Sequence, residues 1–228
     1  MPRLLLVLLL ACLLLAACGG DDDETATTPT PTPTATPEDT GGEQGTGCEQ
    51  VAAAEPRGRE LAKPKQRLDP AKAYVATVST NCGDFEITLD AKRAPETGGS
   101  FKYLADKGFY DGLGFHRIVP GFVIQGGDPQ GTGGGGPGYQ IVEAPPEAFV
   151  YEKGVVAMAK TAIEDPGTSG SQFFVVTADG APLEPDYALV GKVTKGMDVV
   201  DLIGVAPVGP DEQPVEPIVM SSLKVKES

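Results

Sequence analysis

FHRIVPGFVIQGGDP, residues 115–129, decides the reading of this chain. FHRIV and FVIQG are short apolar runs joined by Pro120-Gly121, a turn pair, so they read as two neighbouring strands. Set into these runs are Arg117, Gln125 and the only histidine of the chain, His116. Side chains alternate along a strand. Val123 and Gln125 therefore share one face, and Arg117 and Val119 share one face of the strand before it. An arginine and an amide thus stand beside Phe122 and Val123 with no clear nucleophile or base near them, and the rest of the chain must say what chemistry they serve.

Outward from this pair, the pattern repeats in short pieces. YVATVST and FEITLD alternate with period two around the turn NCGD, and read as a β-hairpin beginning near Tyr74. APETGGSFKYLADKG follows, with Phe101, Leu104 and Ala105 at helical spacing and Gly108 as a stop signal. Gly98 and Gly99 weaken that helix by propensity, so packing must support it. VVAMAK, SQFFVVT and ALVGKV read as further strands, GMDVVDLIG as a second short helix and PIVMSSLKV as a closing strand. Many short strands with Gly/Pro turns and only two helices argue for a mainly β sandwich or barrel.

The N-terminal part is of another kind. Arg3 precedes an apolar run from Leu4 to Ala17, whose 14 residues suit a signal segment better than a membrane span. Leu15-Ala16-Ala17-Cys18 resembles the bacterial lipobox, which implies cleavage before Cys18 and its lipidation. GGDDDETATTPTPTPTATPEDTGGEQGTG follows, with no residues to build a core. Its Thr-Pro alternation favours polyproline II, making a tether of roughly 3 Å per residue. The expected organisation is a signal peptide at 1–17, a tether at 18–47, an extension at 48–70 and a folded domain at 71–228.

Composition excludes several classes. With 32 Asp+Glu against 18 Lys+Arg, the chain offers no basic face for nucleic acid. Cys48 and Cys82 remain once Cys12 and Cys18 are assigned to the signal segment and the lipid. In an oxidising compartment they are expected to pair, stabilising by about 3–4 kcal/mol on loop-entropy grounds; the alternative is two free thiols. GTGGGG at 131–136 has the form G-x-G-x-x-G but runs into PGYQIVEAPP, which cannot start the helix a dinucleotide needs. GTSGS at 167–171 ends in Ser171 where a nucleophile elbow requires glycine. One histidine and two distant cysteines form no recognisable zinc set, so no metal and no cofactor is expected.

FHRIVPGFVIQGGDP, GTGGGGPGY, VAMAK, GTSGSQFFVVT and GKVTKGMDVVD, taken in order, resemble the cyclophilins, the cyclosporin-type peptidyl-prolyl isomerases. The resemblance spans about Tyr74 to Val225. It implies a closed eight-stranded antiparallel β-barrel capped by two helices, and rotation about Xaa-Pro bonds as the reaction. It gives Arg117, Gln125 and Phe174 the catalytic roles. Phe122, Val123 and Leu183 would line the proline pocket with Phe174, Gln172 would support Arg117 and substrate, and Ala159 and Lys160 would offer backbone contacts. Tyr187 takes a position where many members carry histidine.

The departures concern preference. Pro182 stands where cyclosporin-sensitive members have a tryptophan, so weak cyclosporin binding is expected. Lys160 replaces a frequent asparagine, and Val123 a longer methionine. The composite expectation is a monomeric, lipid-anchored isomerase outside the cytoplasmic membrane, acting on Xaa-Pro segments of exported polypeptides. The rival is a non-catalytic proline-peptide binder or chaperone-like module, which would keep the apolar slot without relying on Arg117.

Overall fold

The computed structural model describes residues 47–228. The stretches read above as a signal segment and a Thr-Pro tether, with Cys18 between them, lie outside the described residues, save Gly47 at the end of the second. Ten strands and two helices follow in chain order: β1 Tyr74–Thr80, β2 Gly83–Leu89, α1 Pro95–Asp106, β3 Leu113–Val119, β4 Val123–Gly126, β5 Ile141–Val142, β6 Val155–Met158, β7 Thr168–Ser169, β8 Phe173–Val176, β9 Leu189–Lys195, α2 Met197–Gly204 and β10 Val219–Glu227. Eight of them close a barrel in the order β1-β10-β3-β4-β8-β6-β9-β2, every pairing antiparallel. Closure leaves no open sheet edge to be managed. β5 and β7, two residues each, form a separate small sheet that period-two alternation could not reveal.

Alternation fills the barrel. Val78, Phe85, Ile87, Phe115, Ile118, Ile124, Val156, Met158, Phe173, Val175, Val190 and Leu223 are all buried in one continuous core. Phe115 and Ile118 both belong to it although they stand three positions apart, an odd offset that alternation would send to opposite faces. The register explains this. Phe115 pairs with Gly126 and Arg117 with Gln125, so two steps along β3 match one step along β4. His116 is the extra residue of a β-bulge, which reverses the facing of everything after it.

The helices close over the barrel. α1 follows the end of β2, and its Phe101 and Leu104 enter the core. α2 packs at the other end of β2, with Val199 against Gly83 and with Val200 and Ile203 in the core. α1 starts with Pro95 at its first turn and has no side-chain cap of its own. The Glu143 carboxylate caps it from a distance, accepting from the amides of Thr97 at 2.7 Å and Glu96 at 3.1 Å.

The extension packs on the domain as an extended strap. A Cys48–Cys82 disulfide ties its start to the β1–β2 turn. Arg57 and Arg59 donate to the carbonyls of Asp111 and Gly108, and the Leu68 amide donates to Pro95 O at 2.9 Å. The two glycines of α1 make this possible. A Cβ on Gly99 would stand 2.3 Å from Gln66 O, and one on Gly98 would stand 2.5 Å from Leu68 Cδ1. The helix gives up propensity at these positions so that the strap can lie directly on its backbone.

Candidate active site

On the outside of the barrel, β3, β4 and β8 place three side chains in one cross-strand row. Arg117 pairs with Gln125, and Gln125 pairs with Phe174. The next row is Val119, Val123 and Val176. The bulge at His116 is what brings Arg117 to this face.

The row bounds a pocket of about 130 Å³ lined by Arg117, Phe122, Val123, Gln125, Ala159, Lys160, Phe174, Leu183 and Tyr187. Nine of the ten residues expected to act on or hold substrate thus meet in one cavity. The tenth, Gln172, accepts from Gln125 Nε2 at 3.0 Å. The apolar floor is well packed: Val123 and Phe174 are buried, and Tyr187 stands edge-on to Phe174, with centroids 5.4 Å apart at 89°. A second cleft of about 510 Å³ adjoins it. They share Gln125, Ala159 and Lys160, and the cleft is bounded further by Gly133–Gly138, Thr161, Glu164 and Gln172.

Hydrogen bonds fix the polar members. Arg117 Nη1 donates to Gln125 Oε1 at 3.3 Å, and Arg117 Nε donates to Glu212 Oε2 at 2.6 Å. Gln172 Nε2 donates to Gly133 O and Gly135 O, both at 2.9 Å. The glycine-rich loop at 131–136 is therefore a built support. Its anchor is the buried Asp128 carboxylate, which accepts from Gln130 N at 2.7 Å, Thr132 N at 3.0 Å and Gly133 N at 2.6 Å. A Cβ on Gly135 would lie 2.0 Å from Asp128 Oδ1, so the loop requires glycine there. The strap holds the loop from behind: Arg57 N donates to Pro129 O and Leu61 N to Pro137 O, both at 2.8 Å.

Lys160 is not a free cation at the pocket. Its side chain is only 3% exposed, with Nζ 2.6 Å from Asp186 and 5.7 Å from the centroid of the Tyr187 ring. It also donates to Glu164 O at 3.0 Å. The Ala159 amide is committed to Gln172 O at 2.8 Å. Ser171 is buried and donates to Gly127 O at 2.7 Å, which gives it a structural place rather than a nucleophile's.

Three residues of this constellation went unnoticed in the sequence: Glu212, Asp186 and Tyr151. Tyr151 is buried under the pocket, donates to Tyr187 O at 2.6 Å and accepts from Tyr187 N at 3.0 Å. Burial pushes its phenol up to about 12, so it keeps the proton it donates. None of the three lies in a quoted motif, and each acts through contacts that only the folded chain creates.

With the pocket in view, the comparisons with known proteins bear directly on it. Residues 75–225 match the family described as cyclophilin type peptidyl-prolyl cis-trans isomerase/CLD. The chain belongs to the cyclophilins. It is 37% identical over 168 residues to a probable peptidyl-prolyl cis-trans isomerase A of Mycobacterium leprae, covering 66% of this chain and 91% of that protein. It is 39% identical over 176 residues to peptidyl-prolyl cis-trans isomerase B of Streptomyces anulatus, covering 68% and 98%. Among solved structures, a Cryptosporidium parvum cyclophilin type isomerase superposes with a TM-score of 0.63 at 30% identity, covering 68% of this chain and 98% of that one. This cyclophilin is a peptidyl-prolyl cis-trans isomerase, and the closed eight-stranded barrel with two helices is the family's fold.

His116 carries a consequence for stability. Both its ring nitrogens are buried without a hydrogen-bond partner. Burial lowers its pKa, with Arg117 reinforcing the shift and both Asp128 and the neighbouring Gln172 side chain opposing it. The unfolded chain takes up a proton near its ordinary value of about 6.5, while the folded chain does so only at lower pH. Stability present above that value is lost as pH falls below it toward the folded value. The expected outcome is a thermal midpoint that declines between about pH 7 and about pH 5, and declines less steeply in His116→Gln. Calorimetry at matched ionic strength would read it; equal slopes in the two proteins would refute it.

Proposed function

We propose that this cyclophilin accelerates Xaa-Pro rotation in exported polypeptides, with Arg117 donating to the proline nitrogen, and that it does so as a monomer lipid-anchored through Cys18 outside the cytoplasmic membrane. The barrier to rotation, about 18–20 kcal/mol, exists because twisting breaks amide resonance. Uncatalysed exchange takes tens to hundreds of seconds at 25 °C, slow enough to limit folding. As the bond twists, the nitrogen regains its lone pair and becomes an acceptor. A donor that bonds the twisted state better than the planar one lowers the barrier, without nucleophile or proton transfer.

The observation that carries this reading is the row Arg117–Gln125–Phe174. It sets an always-charged planar donor, an amide that can both donate and accept, and an aromatic wall around one small cavity. Phe122, Val123 and Leu183 complete an apolar seat for the proline ring, and the larger cleft leaves room for flanking residues. The lipid anchor and exported clients rest on the lipobox-like Leu15-Ala16-Ala17-Cys18 and the tether after it.

The test is the isomerisation rate of a short Ala-Pro-Phe peptide with wild type and Arg117→Ala. The variant is expected to lose ten-fold or more in kcat/KM, about 1.4 kcal/mol of transition-state stabilisation. An undiminished rate would remove Arg117 from the donor role. For the anchor, Cys18→Ala should release the protein from the membrane fraction and abolish its labelling by fatty acid; unchanged labelling would place the lipid elsewhere. Pro182 supplies no indole N–H, so cyclosporin is expected to bind more weakly than about 100 nM, a threshold of roughly −9.5 kcal/mol. Titration calorimetry giving tighter binding would contradict that.

A further inference from the structure

Arg117 has a partner outside the cyclophilin motifs. Its Nε donates to Glu212 Oε2 at 2.6 Å, while its Nη1 reaches Gln125 Oε1 at 3.3 Å. Glu212 lies in the loop between α2 and β10, and its φ of 63° makes it the only non-glycine residue with positive φ among the described residues. The loop is held at this point from several sides. Glu212 O accepts from Ile118 N at 2.8 Å, continuing the edge of β3 where its pairing with β10 ends. Glu212 N donates to Gly209 O at 3.0 Å, and Gly209 N donates to Gln213 O at 2.8 Å.

Neither the backbone nor the overall stability of the fold accounts for a glutamate here. A left-handed backbone suits glycine and is unfavourable for a residue with a Cβ and a long side chain. The ion pair stands in solvent, its side chains 38% and 44% exposed, and pairs of that kind contribute little to folding. What the side chain does is grip one edge of the guanidinium. With Nε on Glu212 and Nη1 on Gln125, the planar group is held along two edges, and its remaining N–H groups are left for the pocket.

We infer that Glu212 is a positioning residue for Arg117. The inference rests on Arg117 being the donor to the proline nitrogen. A donor aimed before the reaction begins needs no reorganisation in the transition state, so its orientation acts on kcat rather than on substrate affinity. The carboxylate touches no reacting atom and works only through the arginine.

The experiment is a set of variants in the full chain, assayed on the Ala-Pro-Phe peptide by a method that separates kcat from KM, with thermal midpoints measured alongside. Glu212→Ala is expected to lose roughly five- to ten-fold in kcat with KM within about two-fold of wild type, the signature of lost orientation. Glu212→Gly should lose as much activity while its thermal midpoint rises, because the turn is relieved. Glu212→Gln, whose amide oxygen still accepts from Nε, should recover most of the loss. In Arg117→Ala, adding Glu212→Ala should slow the reaction no further, since the two then act as one unit. Wild-type kcat in Glu212→Ala or Glu212→Gly, alongside a slow Arg117→Ala, would overturn the inference while leaving the donor reading intact. A further loss in the double variant would overturn it as well. A fast Arg117→Ala would overturn both.

Discussion

A single extra residue in β3 governs this site. Without the bulge at His116, strict alternation from Phe115 would turn Arg117 toward the core and Ile118 toward the substrate face. A guanidinium among Phe115, Ile124 and Phe173 would be buried without a partner, at a large desolvation penalty. The bulge lets one strand serve two demands: Phe115 and Ile118 both face the barrel interior, and Arg117 between them faces out beside Gln125. Its residue is itself unusual, a half-buried histidine whose two ring nitrogens are shut away from solvent. The irregular pairing of the bulge falls beside the candidate site, a common place for such features.

From there, position is handed along a connected set of hydrogen bonds. Glu212 and Gln125 hold Arg117, Gln172 holds Gln125, and the carbonyls of Gly133 and Gly135 hold Gln172. Asp128 shapes the loop that presents those carbonyls, and the strap grips the same loop at Pro129 and Pro137. Each polar group in this series is satisfied by the next, which confines the side chains to one arrangement. The disulfide ties the strap's beginning to the barrel, so the support behind the site does not depend on the strap's weak local contacts alone.

The two strands of the opening motif, the hairpin before it and both helices were legible in the sequence, because each carries its own period and its own turn residues. So was the shared face of Val123 and Gln125, a consequence of alternation within one strand. The sharing of a face by residues on different strands was not, because register depends on the partner and on the bulge. Glu212 was illegible for the same reason at longer range: 95 positions separate it from Arg117, and a loop with no period brings it there. The glycines of α1 read as a weakness of that helix. Their purpose emerges only once Gln66 and Leu68 are seen lying against them.

The charges around the pocket fit the reaction in a way that composition alone would not suggest. Arg117 is paired with Glu212 and Lys160 with Asp186, so neither pocket cation acts as an isolated charge. An enzyme that stabilised an oxyanion or a transferring phosphoryl group would gain from uncompensated positive charge. Rotation about an amide is different, because no net charge is created or moved; a lone pair becomes available in one direction. For that change, a donor's aim matters more than the field around it. If Arg117 is the donor, as proposed above, pairing its guanidinium with a carboxylate would give up part of its field and secure its direction, an exchange that suits a neutral, twisting bond.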